Sequence, residues 1–311
     1  MTDKFYLLLA GGVGAAKFIE GLASIVDQNL LKIIVNTGDD IELFGLKICP
    51  DLDIITYTLA GLIDKEKGWG FKDETFNCLS VLKKYYNTEW FNAGDKDLAT
   101  HIYRTNLFNQ GYKKDEITNI ITEKLGVKAQ IIPMCNEPFE TYIKTREKIM
   151  HFEEYYIKEH CEPDVLDVDF KGVENAKATK DILTYIKNAE RIVICPSNPI
   201  VSIGTILQVQ GIKDALVKVK NKVIGISPII QGATVKGPAD KLMKCFNLDV
   251  SCVGVSHYFK DILGHFIIDE RDTSLKSEVE KIGIHTYCFD TLMINQKKKE
   301  DLAQFVIELQ L

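Results

Sequence analysis

LLLAGGVGAAKFIEGL, residues 7–22, sets a hydrophobic run, a glycine cluster and the start of an amphipathic segment side by side. The run from Phe5 to Leu9 reads as a parallel strand buried on both faces, and Ala16 to Leu22 reads as a helix. Gly11, Gly12 and Gly14 then fill the first strand-to-helix turn, where backbone N–H groups at a helix start face outward and small residues allow an anion to approach. The spacing fits neither common phosphate loop. Lys17 stands where G-x-G-x-x-G needs its third glycine, and the chain has no G-x-x-x-x-G-K-[ST]. A tight glycine turn with no ligand remains an open alternative.

Similar strand–loop–helix units recur outward from this one. Lys32–Val35 is a second strand ending in NTGDD, and Pro50 opens a helix in CPDLDIITYTLAGLI. RIVICPSNPIVSIGTILQV (191–209), KVIGISPIIQGATVKGPADKLM (222–243) and VSCVGVSH (250–257) read as three further parallel-strand units. HFIID (265–269) and HTYCFD (285–290) precede a terminal helix. Between them, Asp73–Leu125 follows a helical period, residues 129–145 read as a short hairpin around MCNEP, and HFEEYYIKEHC has no clean period. The expected fold is α/β: a Rossmann-like, mostly parallel sheet flanked by helices, with an inserted, mainly helical region. Residues 1–64 and 172–311 form the expected nucleotide-binding core and 65–171 the insertion.

Composition narrows the function classes. The 311 residues carry a net charge of −6 with 26% charged and 46% hydrophobic positions, enough apolar mass for a large core. No dense Lys/Arg stretch supports nucleic-acid binding. The eight cysteines stand singly, most inside apolar runs, as reduced buried thiols do. With no signal-like start and no apolar run of about 18 residues, a cytoplasmic protein without membrane contact is expected.

Several strand-end loops carry residues suited to chemistry. Ser197 and Asn198, between two prolines, can cap a helix or meet a ligand. Lys236 sits between glycine turns, as a phosphate-facing lysine or a plain surface one. Asp39 and Asp40 end one segment while Asp51 and Asp53 begin the next. Four carboxylates at adjacent segment ends call for a cation, and Mg²⁺ binds through one or two carboxylates plus phosphate and water. Helix capping accounts for any one of them. His101 and Arg104 share a helix face, and His101 is assigned no catalytic part. No G-x-S-x-G elbow is present, so covalent hydrolase chemistry has no support.

In order along the chain, GGVGAAKFIEGL, NTGDD, CPDLDIITYTLAG, WGFKDETF, AGDKDLATHIYR, PSNPIVSIGTIL, SPIIQGATVKGP and FIIDERD resemble the 2-phospho-L-lactate transferases of deazaflavin coenzyme (F-420) biosynthesis. The resemblance is nearest to the methanogen enzymes. It implies attack of the ribityl hydroxyl of 7,8-didemethyl-8-hydroxy-5-deazariboflavin on lactyl-2-diphospho-5'-guanosine, with release of GMP. It also implies a donor site of Gly11, Gly12, Gly14, Lys17, Asn36, Thr37, Ser197, Asn198 and Lys236. Asp51, Asn92 and Arg104 would then serve the acceptor, with Asp51 catalytic and Asp40, Asp51 and Asp53 holding Mg²⁺. Where relatives carry a lysine before the G-D-[KR]-D turn, this chain has Phe91, Asn92 and Ala93. The expected partners are these two small molecules, and the expected assembly is a homodimer. A non-catalytic relative that binds nucleotide sugars is the alternative. An NAD-dependent dehydrogenase is disfavoured by the broken glycine fingerprint.

Overall fold

The computed structural model describes residues 4–86 and 90–311. Seven strands form one parallel sheet: β1 (Tyr6–Ala10), β2 (Leu31–Val35), β3 (Gln130–Pro133), β4 (Arg191–Ile194), β5 (Val223–Ile226), β6 (His265–Asp269) and β7 (His285–Phe289). Their spatial order is β7-β6-β5-β4-β1-β2-β3, so the direction of winding reverses between β1 and β4. That reversal is where a doubly wound sheet opens a crevice at its strand ends.

The strands are apolar at nearly every position because both faces of the sheet are covered. Leu7 and Leu9 of β1 join the core on one face, and Leu8 and Ala10 join the core on the other. α1 (Gly12–Ile25) follows β1 directly, and α2 (Pro50–Leu59) starts with proline at its first position. Pro50 has a preset φ and needs no N–H there, which fits a helix start.

Two readings of the sequence need correction. VSCVGVSH is the helix Cys252–Phe259, entered through Ser251, whose hydroxyl accepts from Gly254 N–H. Its apolar residues are buried all round, which removes the period that separates helix from strand. The 129–145 segment is not a hairpin. β3 pairs parallel with β2, whereas Glu140–Lys144 belongs to a separate three-stranded antiparallel sheet with Ile149–His151 and Asp167–Lys171. The turn-rich MCNEP is the crossing between the two sheets.

Residues 65–171 therefore contain more than helices. Asn77–Tyr85, α3 (Asp95–Asn109) and α4 (Lys114–Lys124) lie in this span, and so do the edge strand β3 and the antiparallel sheet. The HFEEYY segment supplies the strand Ile149–His151 and then a helical turn, Glu154–Lys158. The terminal helix is α5 (Gln296–Glu308).

Close packing at the central crevice fixes one glycine. A Cβ on Gly14 would lie 2.1 Å from the Pro196 carbonyl oxygen, so α1 and the loop after β4 touch backbone to backbone. Gly14→Ala is expected to cost about 1–3 kcal/mol, the usual scale of overpacking. A thermal melt checks this, and a variant melting with the parent would contradict the close approach.

Candidate functional site

A cleft of about 630 Å³ opens at the carboxyl ends of the strands, across the β1/β4 reversal. The Gly11–Gly14 turn, the 196–202 loop, the 227–238 loop, residues 291–294 and the first turn of α2 line it, with Asp97 and His101 from α3. Phe152, Glu153 and Tyr156 reach it from beside the antiparallel sheet.

Asp51 is the junction of the floor. Its Oδ1 accepts the Gly12 N–H at 2.7 Å, and its Oδ2 accepts Asn36 Nδ2 at 2.9 Å. Gly12, with φ of 70°, turns that N–H inward. The same Asn36 nitrogen also donates to Asp39 Oδ2 at 3.1 Å, so one amide ties two carboxyls together. Asp39 Oδ1 is buried without a hydrogen-bond partner.

Burial pushes the Asp51 carboxyl up to about 6, against the two hydrogen bonds that favour its charge. Burial and the charges of Asp51 and Asp40 push Glu153 up to about 8. Asp39 is raised well above the carboxylate range by burial and by Asp51, Glu153 and Asp40. Three buried carboxyls thus share one part of the cleft, and among the described residues no side-chain cation pairs with them.

The remaining expected metal ligands are already neutralised. Asp40 pairs with the buried Lys114 of α4 at 2.6 Å and does not line the cleft. Asp53 is held by both terminal nitrogens of Arg104, which is itself buried beneath the cleft and absent from its lining. Arg104 also lies 3.2 Å from His101 Nδ1, and Tyr57 donates to Asp97 at 2.8 Å. Ligand atoms of Asp53, Asp97 and His101 all lie within 4.8 Å of one another, a spacing able to hold a divalent ion. The guanidinium already balances Asp53 there.

On the other side, Lys17 and Lys236 line the cleft, and among the described residues neither forms an ion pair. Burial and the neighbouring Lys17 charge lower the Lys236 ammonium from its ordinary value. Ser197 lines the cleft with its buried Oγ unpartnered. Asn198 also lines it, but its side-chain oxygen caps the following helical segment, accepting from Ile200 and Val201 N–H. Gly11, Gly12, Gly14 and Asn92 lie in the lining as well. Asn36 and Thr37 do not: Asn36 lies under Asp39 and Asp51, and Thr37 faces Cys135.

Sequence reasoning missed Glu153, Asp97 and Tyr57. Tyr57 and Asp97 sit in quoted motifs but only their mutual hydrogen bond reveals a role. Glu153 stands in a segment without a period and has no local signature.

The family model described as 2-phospho-L-lactate transferase CofD matches residues 7–306. The chain belongs to the 2-phospho-L-lactate transferase family. Among curated relatives, the 2-phospho-L-lactate transferase of Methanosarcina barkeri is 39% identical over 303 residues, 97% of each chain. That of Methanosarcina mazei is 39% identical over 302 residues, 97% of this chain and 99% of the relative. A phosphoenolpyruvate transferase of Kitasatospora aureofaciens is 36% identical over 308 residues, covering 97% of this chain and 96% of the relative. In fold, a Bacillus halodurans protein of the UPF0052 family matches with TM-score 0.64 and 16% identity, over 99% of this chain and 100% of that one. This likeness supports the Rossmann-like architecture of the family. Among the described residues no helix is long and apolar enough to cross a membrane.

Two outcomes follow for these buried charges. Arg104→Ala leaves Asp53 uncompensated and is expected to cost about 3–5 kcal/mol, with much of it restored by adding Asp53→Asn. Denaturant melts of the single and double variants check this; an Arg104→Ala protein as stable as the parent would contradict a buried pair. The raised acids set the pH response. Asp51 and Glu153 bind protons more tightly folded than at their unfolded values of 3.8 and 4.5. Stability in chelator is therefore full below about pH 4 for these two groups and is lost as pH rises through about 6 and then about 8. Glu153→Gln should flatten the upper part of that decline in melts across pH, and an equally steep profile would contradict the assignment.

Proposed function

We propose that the protein is a transferase that moves the phospholactyl group of lactyl-2-diphospho-5'-guanosine to the ribityl hydroxyl of 7,8-didemethyl-8-hydroxy-5-deazariboflavin, releasing GMP. The observation that carries this reading is the separation of charge across one cleft. Lys17 and Lys236 offer positive charge where a diphosphate would lie, beside the start of α1, whose Gly12 N–H is bound to Asp51. Asp39, Asp51 and Glu153 gather where a hydroxyl must lose its proton and a cation must balance charge. Phosphoryl transfer asks chiefly for such positioning and neutralisation.

In this reading the acceptor hydroxyl approaches the lactyl-side phosphorus along the line opposite GMP. The new P–O bond forms as the bond to GMP breaks. Asp51, whose charged form is favoured by the Gly12 N–H and the Asn36 amide, orients the hydroxyl and takes its proton. The flat ring finds apolar walls at Ile48, Phe91, Phe152 and Tyr156, beside Asn92. Lys17 and Lys236 hold the phosphates, and Lys236 bears on the leaving nucleotide's charge.

Mg²⁺ fits this chain at Asp39 and Asp51: Asp39 has a buried oxygen without a partner, and the donor set is all oxygen. When bound, it would neutralise phosphate charge during transfer. The non-catalytic alternative has no use for three acids of raised pKa opposite an unpaired lysine pair.

The reading is tested by incubating protein, Mg²⁺, the deazaflavin and fresh guanylated donor and following GMP and the phosphodiester product by mass spectrometry. Offering the guanylated phosphoenolpyruvate in parallel identifies the organic end of the donor. Asp51→Asn keeps the shape of the side chain and removes its charge; turnover is expected to fall by roughly 10²-fold or more. A folded Asp51→Asn enzyme turning over at the parental rate would remove Asp51 from the chemistry.

A further inference from the structure

FIIDERD, residues 266–272, adds nothing to the cleft lining, yet its two aspartates hold both loops of one cleft wall. Asp269 ends β6 fully buried. Its Oδ2 accepts the Thr291 N–H at 2.9 Å and the Thr291 hydroxyl at 3.0 Å. Its Oδ1 accepts the Arg271 N–H at 3.0 Å and Arg271 Nη1 at 2.7 Å. Arg271 continues to Asp290 Oδ1 at 3.2 Å, and that oxygen also accepts the Leu292 N–H at 3.2 Å. The loop 290–294 is thus fastened at three consecutive residues.

Asp272 does the same for the neighbouring loop. Both of its oxygens lie near the Gln231 N–H, at 3.0 and 3.1 Å, and Gln231 has a φ of 50°, which this bond helps to hold. On either side of Gln231, Ile230 and Thr234–Lys236 reach the cleft.

The wall so fixed differs in character from the rest of the cleft. Before Lys236 it carries no charge: it presents apolar side chains, while the Thr234 and Thr291 hydroxyls donate to the Gly237 carbonyl and Asp269. Val235 and Ile294, one on each loop, are 57% and 70% exposed. Two exposed aliphatic residues bordering a cleft suit the faces of a flat, uncharged ring. Lys236 follows Val235 directly, so a ring on this wall would be joined to phosphates at the lysine.

We propose that Asp269 and Asp272 are positioning residues for the nucleoside end of the donor, holding the 290–294 and 229–236 loops as the wall that receives its base. This rests on the transfer reading above. A carboxylate is required at position 269 because all four groups around it are donors. Asparagine would set its own N–H₂ against one pair, leaving buried donors unmet.

The test compares GDP with inorganic pyrophosphate by calorimetry on the intact protein. Pyrophosphate reaches only the phosphate site, so a disturbed base wall should not affect it. Asp269→Asn is expected to weaken GDP by about tenfold or more while pyrophosphate stays within about twofold. Arg271→Ala, at a part-exposed side chain, guards against misfolding of the first variant and is expected to weaken GDP by about threefold on the same scale. Equal losses for both ligands, or no loss for either, would overturn the inference. Wild-type protein that binds no GDP would overturn the transfer reading and this inference together, whereas GDP binding by wild type and unaltered binding by both variants would overturn this inference alone.

Discussion

The Asp51 carboxylate ties together three parts of the chain at the cleft floor, where α1, β2 and α2 also share an apolar core. It accepts the N–H at the start of α1, shares the Asn36 amide that ends β2, and sits on the first turn of α2. Hydrogen bonds to a charged group contribute about 1.5–3 kcal/mol each, so the junction stabilises the crevice as well as charging it. The cost appears in the same place. Burial opposes the charge, and the Asn36 bridge brings Asp39 close, so both carboxyls hold their protons more tightly and, among the described residues, no side-chain cation pairs with them. Neighbouring aspartates do have a lysine or arginine partner. Asp40 and Asp53 show what that looks like: Lys114 and Arg104 lie against them.

This contrast divides the acidic residues of two short motifs into two kinds. Asp40 and Asp53 clamp α4 and α3 to the core, and the second of these pairs sets α3, whose Asp97 and His101 line the cleft. Asp39 and Asp51, one position or two away, face the cleft. The ion-paired carboxyls and those facing the cleft without a cation among the described residues therefore alternate along the same segments. The charged lysines stand apart on the α1 and β5 side, which gives the cleft a direction.

The parallel core was readable because its physical cause is simple. Strands such as Leu7–Leu9, Ile33–Val35 and Ile224–Ile226 are apolar without a break since both faces are covered, and a glycine or proline marks each carboxyl end. The same rule misled at Cys252–Phe259, where a fully buried helix is also apolar without a break. The strand Gln130–Pro133 was obscured by its partner, β2, which lies about a hundred residues away and leaves no local mark. At the site, the glycine turn, Asp51, Lys17 and Lys236 were legible from their places at strand ends. Whether Asp39 or Asp40 faces the cleft was not, because Lys114 decides it from a distant helix. Glu153 was invisible for a related reason: its function comes from what surrounds it, and the surrounding residues come from other segments.

One cleft is proposed to seat the donor's phosphates against Lys17 and Lys236, beside the glycine turn, and to leave Asp39 and Asp51 facing the acceptor. A crystal structure of the protein with GDP and Mg²⁺ tests it most directly. Diphosphate density is expected within hydrogen-bond reach of the two lysines and beside the Gly11–Gly14 turn, with the metal on Asp39 or Asp51. Diphosphate bound elsewhere, or a metal on Asp53, Asp97 and His101 with Arg104 displaced, would contradict it.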